Sequence, residues 1–248
     1  MNIKRYGLNQ QGAGQFDGGK ITEQKPIGFP GEGSEVKRIG PLFYWAWAKS
    51  ENEGYIPLHP HQGFEIITYV ISGKAEHGDT LGTKSTVGPG GLQVMQTGSG
   101  VSHEEGFVGP NMQGFQIWFE PHLTEALKRR PTYQQFNDAD FQVDTNEGIR
   151  IKELLSDESP VNFVTDAAMW DIEVKSDFTY EHSLAKGRSL SILVLSGEGK
   201  INRTEFKMKE FLVMEADEQS KIAIKVRKDT RVIAIEVPTS VDYPLYRK

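Results

Sequence analysis

Hydrophobic residues in this chain come in short runs, mostly β-branched or aromatic, separated by glycine-rich corners. In the first half these are Leu42-Phe43-Tyr44-Trp45-Ala46-Trp47, Ile66–Ile71, Leu92–Met95 and Phe115–Phe119; in the second, Ser191–Ser196, Phe211–Met214, Ser220–Lys225 and Arg231–Glu236. Such residues suit a pleated, half-buried backbone. Their close spacing, with corners such as Gly88-Pro89-Gly90-Gly91 and Gly98-Ser99-Gly100, predicts an antiparallel sandwich or barrel. The aromatic run from Phe43 to Trp47 reads as a core strand rather than a substrate-facing wall, because buried aromatics usually serve packing.

Three stretches break this pattern. Residues 8–36, rich in Gly and Gln, predict a long ordered loop with room for one strand. Thr124–Arg130 predicts a short helix, with an N-cap candidate, Glu125 in its first turn and Pro131 as a stop. The basic residues at its end suit the helix dipole. The polar, mixed segment 133–160 predicts a connection between a first domain over 1–132 and a second over 161–248.

The two halves share a vocabulary, which prompts a search for duplication. Tyr69–Gly73 resembles Leu193–Gly197, and Leu92–Met95 resembles Phe211–Met214.

The chemistry concentrates between His59 and Glu105. On period-two strands His59, His61 and Glu65 share one face, and His103 and Glu105 share another. Five potential metal ligands then face inward, and packing alone does not explain them, since a buried carboxylate or imidazole needs a partner. Anchoring Gly73 on Gly197 places His59, His61 and Glu65 on Ser183, Ala185 and Ser189; anchoring Met95 on Met214 places His103 and Glu105 on Ile222 and Ile224. The second copy keeps the framework without the ligands, with His182 one residue out of register and hence on the opposite face. His77 and His122 have no paired ligand at strand spacing, which predicts surface or loop positions.

Composition narrows the chemistry. Among 248 residues there is no cysteine, so any metal must be held by nitrogen and oxygen. The net charge of −6 disfavours non-specific attraction to nucleic acid or to an anionic membrane. Neither a signal-peptide core nor a membrane-spanning run is present, and the expected location is the cytoplasm.

The run HPHQGFEIITYVISG, followed by EHGDTLG, PGG, QVMQTGSG and HEE, and later by QIWF and PTYQQF, resembles the pirin family of the cupin superfamily. The resemblance implies a mainly all-β bicupin: two jelly-roll barrels (double-stranded β-helices) packed face to face with a short helix between them, the first carrying a metal. It implies His59, His61, His103 and Glu105 as the ligands, with Glu65 behind them, hydrogen-bonding a ligand's free ring nitrogen. Gln62, Gly91, Val94 and Ser99 stand where pirins often have Arg, Asp, Trp and Arg.

Three imidazoles and a carboxylate suit a divalent transition metal: Fe(II) first, with Mn, Ni, Cu, Co or Zn as alternatives. The implied activity is that of a quercetin 2,3-dioxygenase, acting with dioxygen on a small aromatic hydroxy-carbonyl substrate, with Glu105 as the catalytic base. The alternative is a metal- or redox-sensing protein that binds a regulatory protein partner.

Overall fold

The computed structural model describes residues 2–146 and 148–246. The chain is nearly all β and divides into two compact units. The N-terminal unit gathers Gln11–Asp140, Val161–Thr165 and the tail from Asp242; the C-terminal unit gathers the residues up to Gln10, Phe141–Pro160 and Asp166–Val241. No described helix is long and apolar enough to cross a membrane.

A nine-stranded sheet builds the N-terminal unit. Its spine is a pair of long antiparallel strands, Glu65–Asp79 and Val101–Phe119, in register from Glu65 opposite Phe119 to Asp79 opposite His103. The pairing is interrupted around Ser72, and Gly73 sits there at φ +70°. A Cβ at Gly73 would lie 2.7 Å from the Met112 Cα and from the Val108 carbonyl oxygen, so both conformation and space call for glycine. The aromatic strand Leu42–Ser50 pairs with Met112–Phe119, and its run from Phe43 to Trp47 is buried throughout.

The C-terminal unit has a seven-stranded and a four-stranded sheet. Leu190, Ile192, Leu212, Met214 and Ile222 are part of its core. Here Gly197, at φ +75°, repeats Gly73, with a would-be Cβ 2.5 Å from the Thr230 Cα. The backbones agree in finer detail too. Val70 accepts from Gly90 N and donates to the Gly91 carbonyl; Val194 accepts from Lys209 N and donates to the Glu210 carbonyl. Gly90 and Lys209 both adopt positive φ. The two units share one supersecondary plan.

Several elements differ from the sequence expectation. Residues 8–36 contain two strands, Gly12–Phe16 and Ile21–Ile27, paired with each other across a turn in which Asp17 and Gly18 adopt positive φ. Hydropathy hides the second strand because Lys25, 4% exposed, is buried as an ion, 3.1 Å from Glu23 and 2.5 Å from Glu32. The helix is a single turn, Leu123–Ala126. Beyond it Lys128 N and Arg129 N bond three residues back, and the Arg129 carbonyl is taken by Ser99 N.

Segment 133–160, expected to be a connector, is largely strand. Thr132–Phe136 pairs with Leu92–Gln96, and Val143–Asn146 pairs with Ile149–Leu155. Val143–Asn146 is a fully exposed edge strand, which leaves no apolar face to read. The first residues belong with the C-terminal unit rather than with 1–132: Asn2–Tyr6 pairs with Phe211–Glu215, and Ile3 packs on that unit's core.

Candidate metal centre

His59 and His61 lie on the strand Glu53–His61, which pairs with the start of Val101–Phe119. The register shifts between Ile56 and His59, a bulge that takes up one extra residue and sets His59 directly opposite His103. Along Val101–Phe107 the odd-numbered residues are buried and the even-numbered ones only partly so, so His103 and Glu105 share the inner face.

The ligating nitrogens of His59, His61 and His103 lie within 4.8 Å of one another. Nitrogens each about 2.1 Å from one metal are at most about 4.2 Å apart, so closing on an ion needs a movement of roughly half an ångström. His59 Nδ1 lies 2.8 Å from the Pro57 carbonyl oxygen. That bond makes Nδ1 the donor and leaves Nε2 with a free lone pair. His61 Nε2 and both ring nitrogens of His103 are buried without a hydrogen-bond partner, a costly arrangement for a structural core.

Burial, aided by the neighbouring imidazoles, pushes His61 and His103 down to about 3. They are therefore neutral at physiological pH and able to ligate. The free lone pair on each of these neutral rings fits a divalent transition metal, and the mixed burial of the set leaves one side approachable.

Glu105 stands outside this group. Both its carboxylate oxygens accept from Gln116 Nε2, at 2.7 and 2.6 Å. Gln116 Oε1 in turn accepts from Trp118 Nε1 at 3.2 Å, and the Trp118 ring packs edge-on against His61 at 4.8 Å. Further in, Tyr44 faces Glu23 at 3.4 Å. Burial raises Glu23, and burial with the Glu23 carboxylate raises Tyr44 well above 10.

Glu65, expected behind the histidines, is bound elsewhere. It accepts from Gln96 Nε2, from the backbone of Val164 and Thr165 and from Thr165 Oγ1, at 2.6 to 2.8 Å. Its four partners fill its capacity, and it anchors the 161–165 segment within its own unit.

His77 is not a surface residue. The strand Glu65–Asp79 carries it inward to a position opposite Glu105, where it is 4% exposed. It bonds Asp79 at 2.9 Å and lies between the rings of Tyr133, at 4.4 Å, and His103, at 5.5 Å. The two-residue spacing of His77 and Asp79 was the available signal for this pair. Gln116, an isolated amide in an apolar strand, offered none. His122 is exposed.

His182 does not turn away from its barrel. Phe178–Leu184 pairs with Ser220–Val226 so that His182 faces Ile222, as His59 faces His103. The ungapped match misplaced it by one because the stretch from His182 to Gly197 is one residue longer than that from His59 to Gly73.

Residues 44–119, which include all three histidines, match the Pirin family model. The bacterial pirin YhhW from Escherichia coli, solved in complex with nickel(II), superposes with a TM-score of 0.80 at 25% identity, over 97% of this chain and 100% of its own. Over residues 44–119 the chain is similar to the pirin family. A pirin-like protein of Caulobacter vibrioides is 29% identical over 162 residues, 61% of this chain. The match spans 58% of that relative, less than two thirds of its length. A quercetin 2,3-dioxygenase from Acinetobacter baumannii superposes with a TM-score of 0.85 at 20% identity, over 99% of this chain and 82% of its own, and so shares the fold. These likenesses fit the two mainly β units described above.

Proposed function

We propose that this chain is a metal-dependent dioxygenase of the quercetinase type, acting on small aromatic compounds with a hydroxyl next to a carbonyl. One observation carries the reading: three imidazoles converge, two of them with buried, unpartnered nitrogens, beside a carboxylate held by Gln116. The name of the Acinetobacter structural neighbour supports the substrate class, and nickel(II) in the Escherichia coli pirin supports a nitrogen and oxygen site for a first-row metal.

His59, His61 and His103 hold the metal, and Glu105 joins them by exchanging its bonds from Gln116. When bound, Fe(II) or a related divalent ion would supply a Lewis acid that polarises the substrate hydroxyl and the redox chemistry for dioxygen. The protein's own residues do the rest. Glu105 accepts the proton of the substrate hydroxyl at a carboxylate oxygen. Trp118, beside His61, offers an aromatic edge to the substrate ring. Gln62, at the rim where pirins often carry Arg, donates to the Ser99 carbonyl and adds no charge to the mouth.

The test is oxygen uptake by anaerobically purified protein loaded with Fe(II) and given quercetin and related vicinal hydroxy-carbonyl compounds. Uptake that is lost in His103→Ala supports the assignment. No uptake with any divalent metal would move it to a metal-dependent binding protein for a regulatory partner.

A further inference from the structure

The C-terminal unit contains a cavity of about 330 Å³ where the N-terminal unit carries its histidines. His182 faces Ile222, and Tyr180 faces Ile224. Through the shared hairpin, Ile222 and Ile224 stand at the positions of His103 and Glu105. Two ligand positions carry hydrocarbon, yet the space between the sheets has not been filled.

The floor of this cavity is apolar: Leu190, Ile192, Ile201 and Phe206 are all buried. Its walls include Ile172 and Trp170, which pack against the core while only partly buried. Such a lining selects a mainly hydrocarbon ligand.

Charge is confined to the mouth. Asp144 is exposed, Glu153 is partly so, and among the described residues lining the cavity there is no lysine or arginine. The imidazole of His182 is held by Glu236 at 3.1 Å, and Glu236 by Arg188 at 2.9 Å. The rings of Trp170 and Tyr180 flank that imidazole at 6.2 and 6.3 Å. Two carboxylates and two electron-rich rings around an apolar hole attract a cation and repel an anion.

We propose that this second cavity binds a small organic amine: a protonated nitrogen held at the Asp144 and Glu153 rim, on a compact aromatic or branched body seated over Ile192 and Phe206. A volume near the lower end for ligand sites, roughly 300 Å³, limits the occupant to a single-ring molecule. The site is independent of the metal centre.

Isothermal titration of the full chain with 2-phenylethylamine, 2-phenylethanol and phenylacetate tests it. The amine binds with one-to-one stoichiometry, and phenylacetate binds at least tenfold more weakly. The double variant Asp144→Asn/Glu153→Gln loses about tenfold in amine affinity while keeping its affinity for the alcohol. Ile192→Trp, checked for a native thermal transition, fills the floor and abolishes all binding; if that variant does not fold, the rim variant carries the test. His103→Ala leaves amine binding unchanged. The proposal is overturned by equal affinity for amine and acid, by indifference to the rim substitutions, by loss of binding in His103→Ala, or by no binding at millimolar amine.

Discussion

The side-chain amide of Gln116 donates to both carboxylate oxygens of Glu105, at 2.7 and 2.6 Å, and so holds a buried carboxyl group beside the three imidazoles. If Glu105 turns to the metal when one binds, it needs these bonds only in the metal-free protein. Gln116→Leu is then expected to destabilise the metal-free form by about 1.5–3 kcal/mol, the usual worth of hydrogen bonds to a charged group, and the nickel-loaded form by clearly less. Thermal unfolding with and without Ni(II) reads the difference. Equal destabilisation in both states would show that Glu105 does not change partner.

His61 and His103 contribute three buried ring nitrogens without partners, and a metal would satisfy one on each ring. A chelator should therefore lower the melting temperature of the wild type; a ligand at a hundred times its Kd contributes about 2.7 kcal/mol. His103→Leu removes two of the orphaned atoms and a ligand together. It should melt at the same temperature with or without chelator, and no lower than chelated wild type. A chelator effect that persists in His103→Leu would place the metal elsewhere.

Much of this arrangement was legible in the sequence. Period two on paired strands placed His59, His61, His103 and Glu105 on inner faces, and the echo between Gly73 and Gly197 reported a real repeat of backbone conformation. What stayed hidden was polar structure without an apolar signature. Lys25 and Glu23 interrupt a strand that is nonetheless buried, because they neutralise each other. Val143–Asn146 is a strand with no buried face. The extra residue between His182 and Gly197, relative to His59 and Gly73, could not be placed from residue types, and it decides which face His182 takes. The competition for Glu65 and Glu105 among nearby donors depends on distances of a few tenths of an ångström, which spacing along a strand does not encode.

Glu65 tests this last point. Its carboxylate accepts four hydrogen bonds from Gln96, Val164 and Thr165 and none from a histidine. Glu65→Ala is expected to cost about 2–4 kcal/mol, since it strands two backbone amides of the 161–165 segment, while the metal content of the folded protein stays at the wild-type level. A partner of the metal-binding histidines would instead lose roughly 10- to 100-fold in metal affinity. Denaturant unfolding beside metal analysis separates the two outcomes.

The Glu236 carboxylate joins His182, at 3.1 Å, to Arg188, at 2.9 Å, with its side chain 14% exposed. Burial alone pushes its pKa up, but the hydrogen bonds from His182 and Arg188 and the charge of Arg188 outweigh burial and hold it below its ordinary 4.5. A carboxyl with a depressed folded pKa takes up its proton more readily in the unfolded chain. Its contribution is therefore complete above the ordinary value and is lost as pH falls through the lower, folded one. Glu236→Gln should be less stable than wild type by about 1–2 kcal/mol at neutral pH, and the gap should close progressively below pH 4.5 as the wild-type carboxyl is protonated. Arg188 keeps its charge across this range, so the closure reports on Glu236 itself. Urea unfolding of both proteins from pH 7 to pH 3 measures it, and a gap that stays constant or widens toward acid would contradict the role assigned to this ion pair.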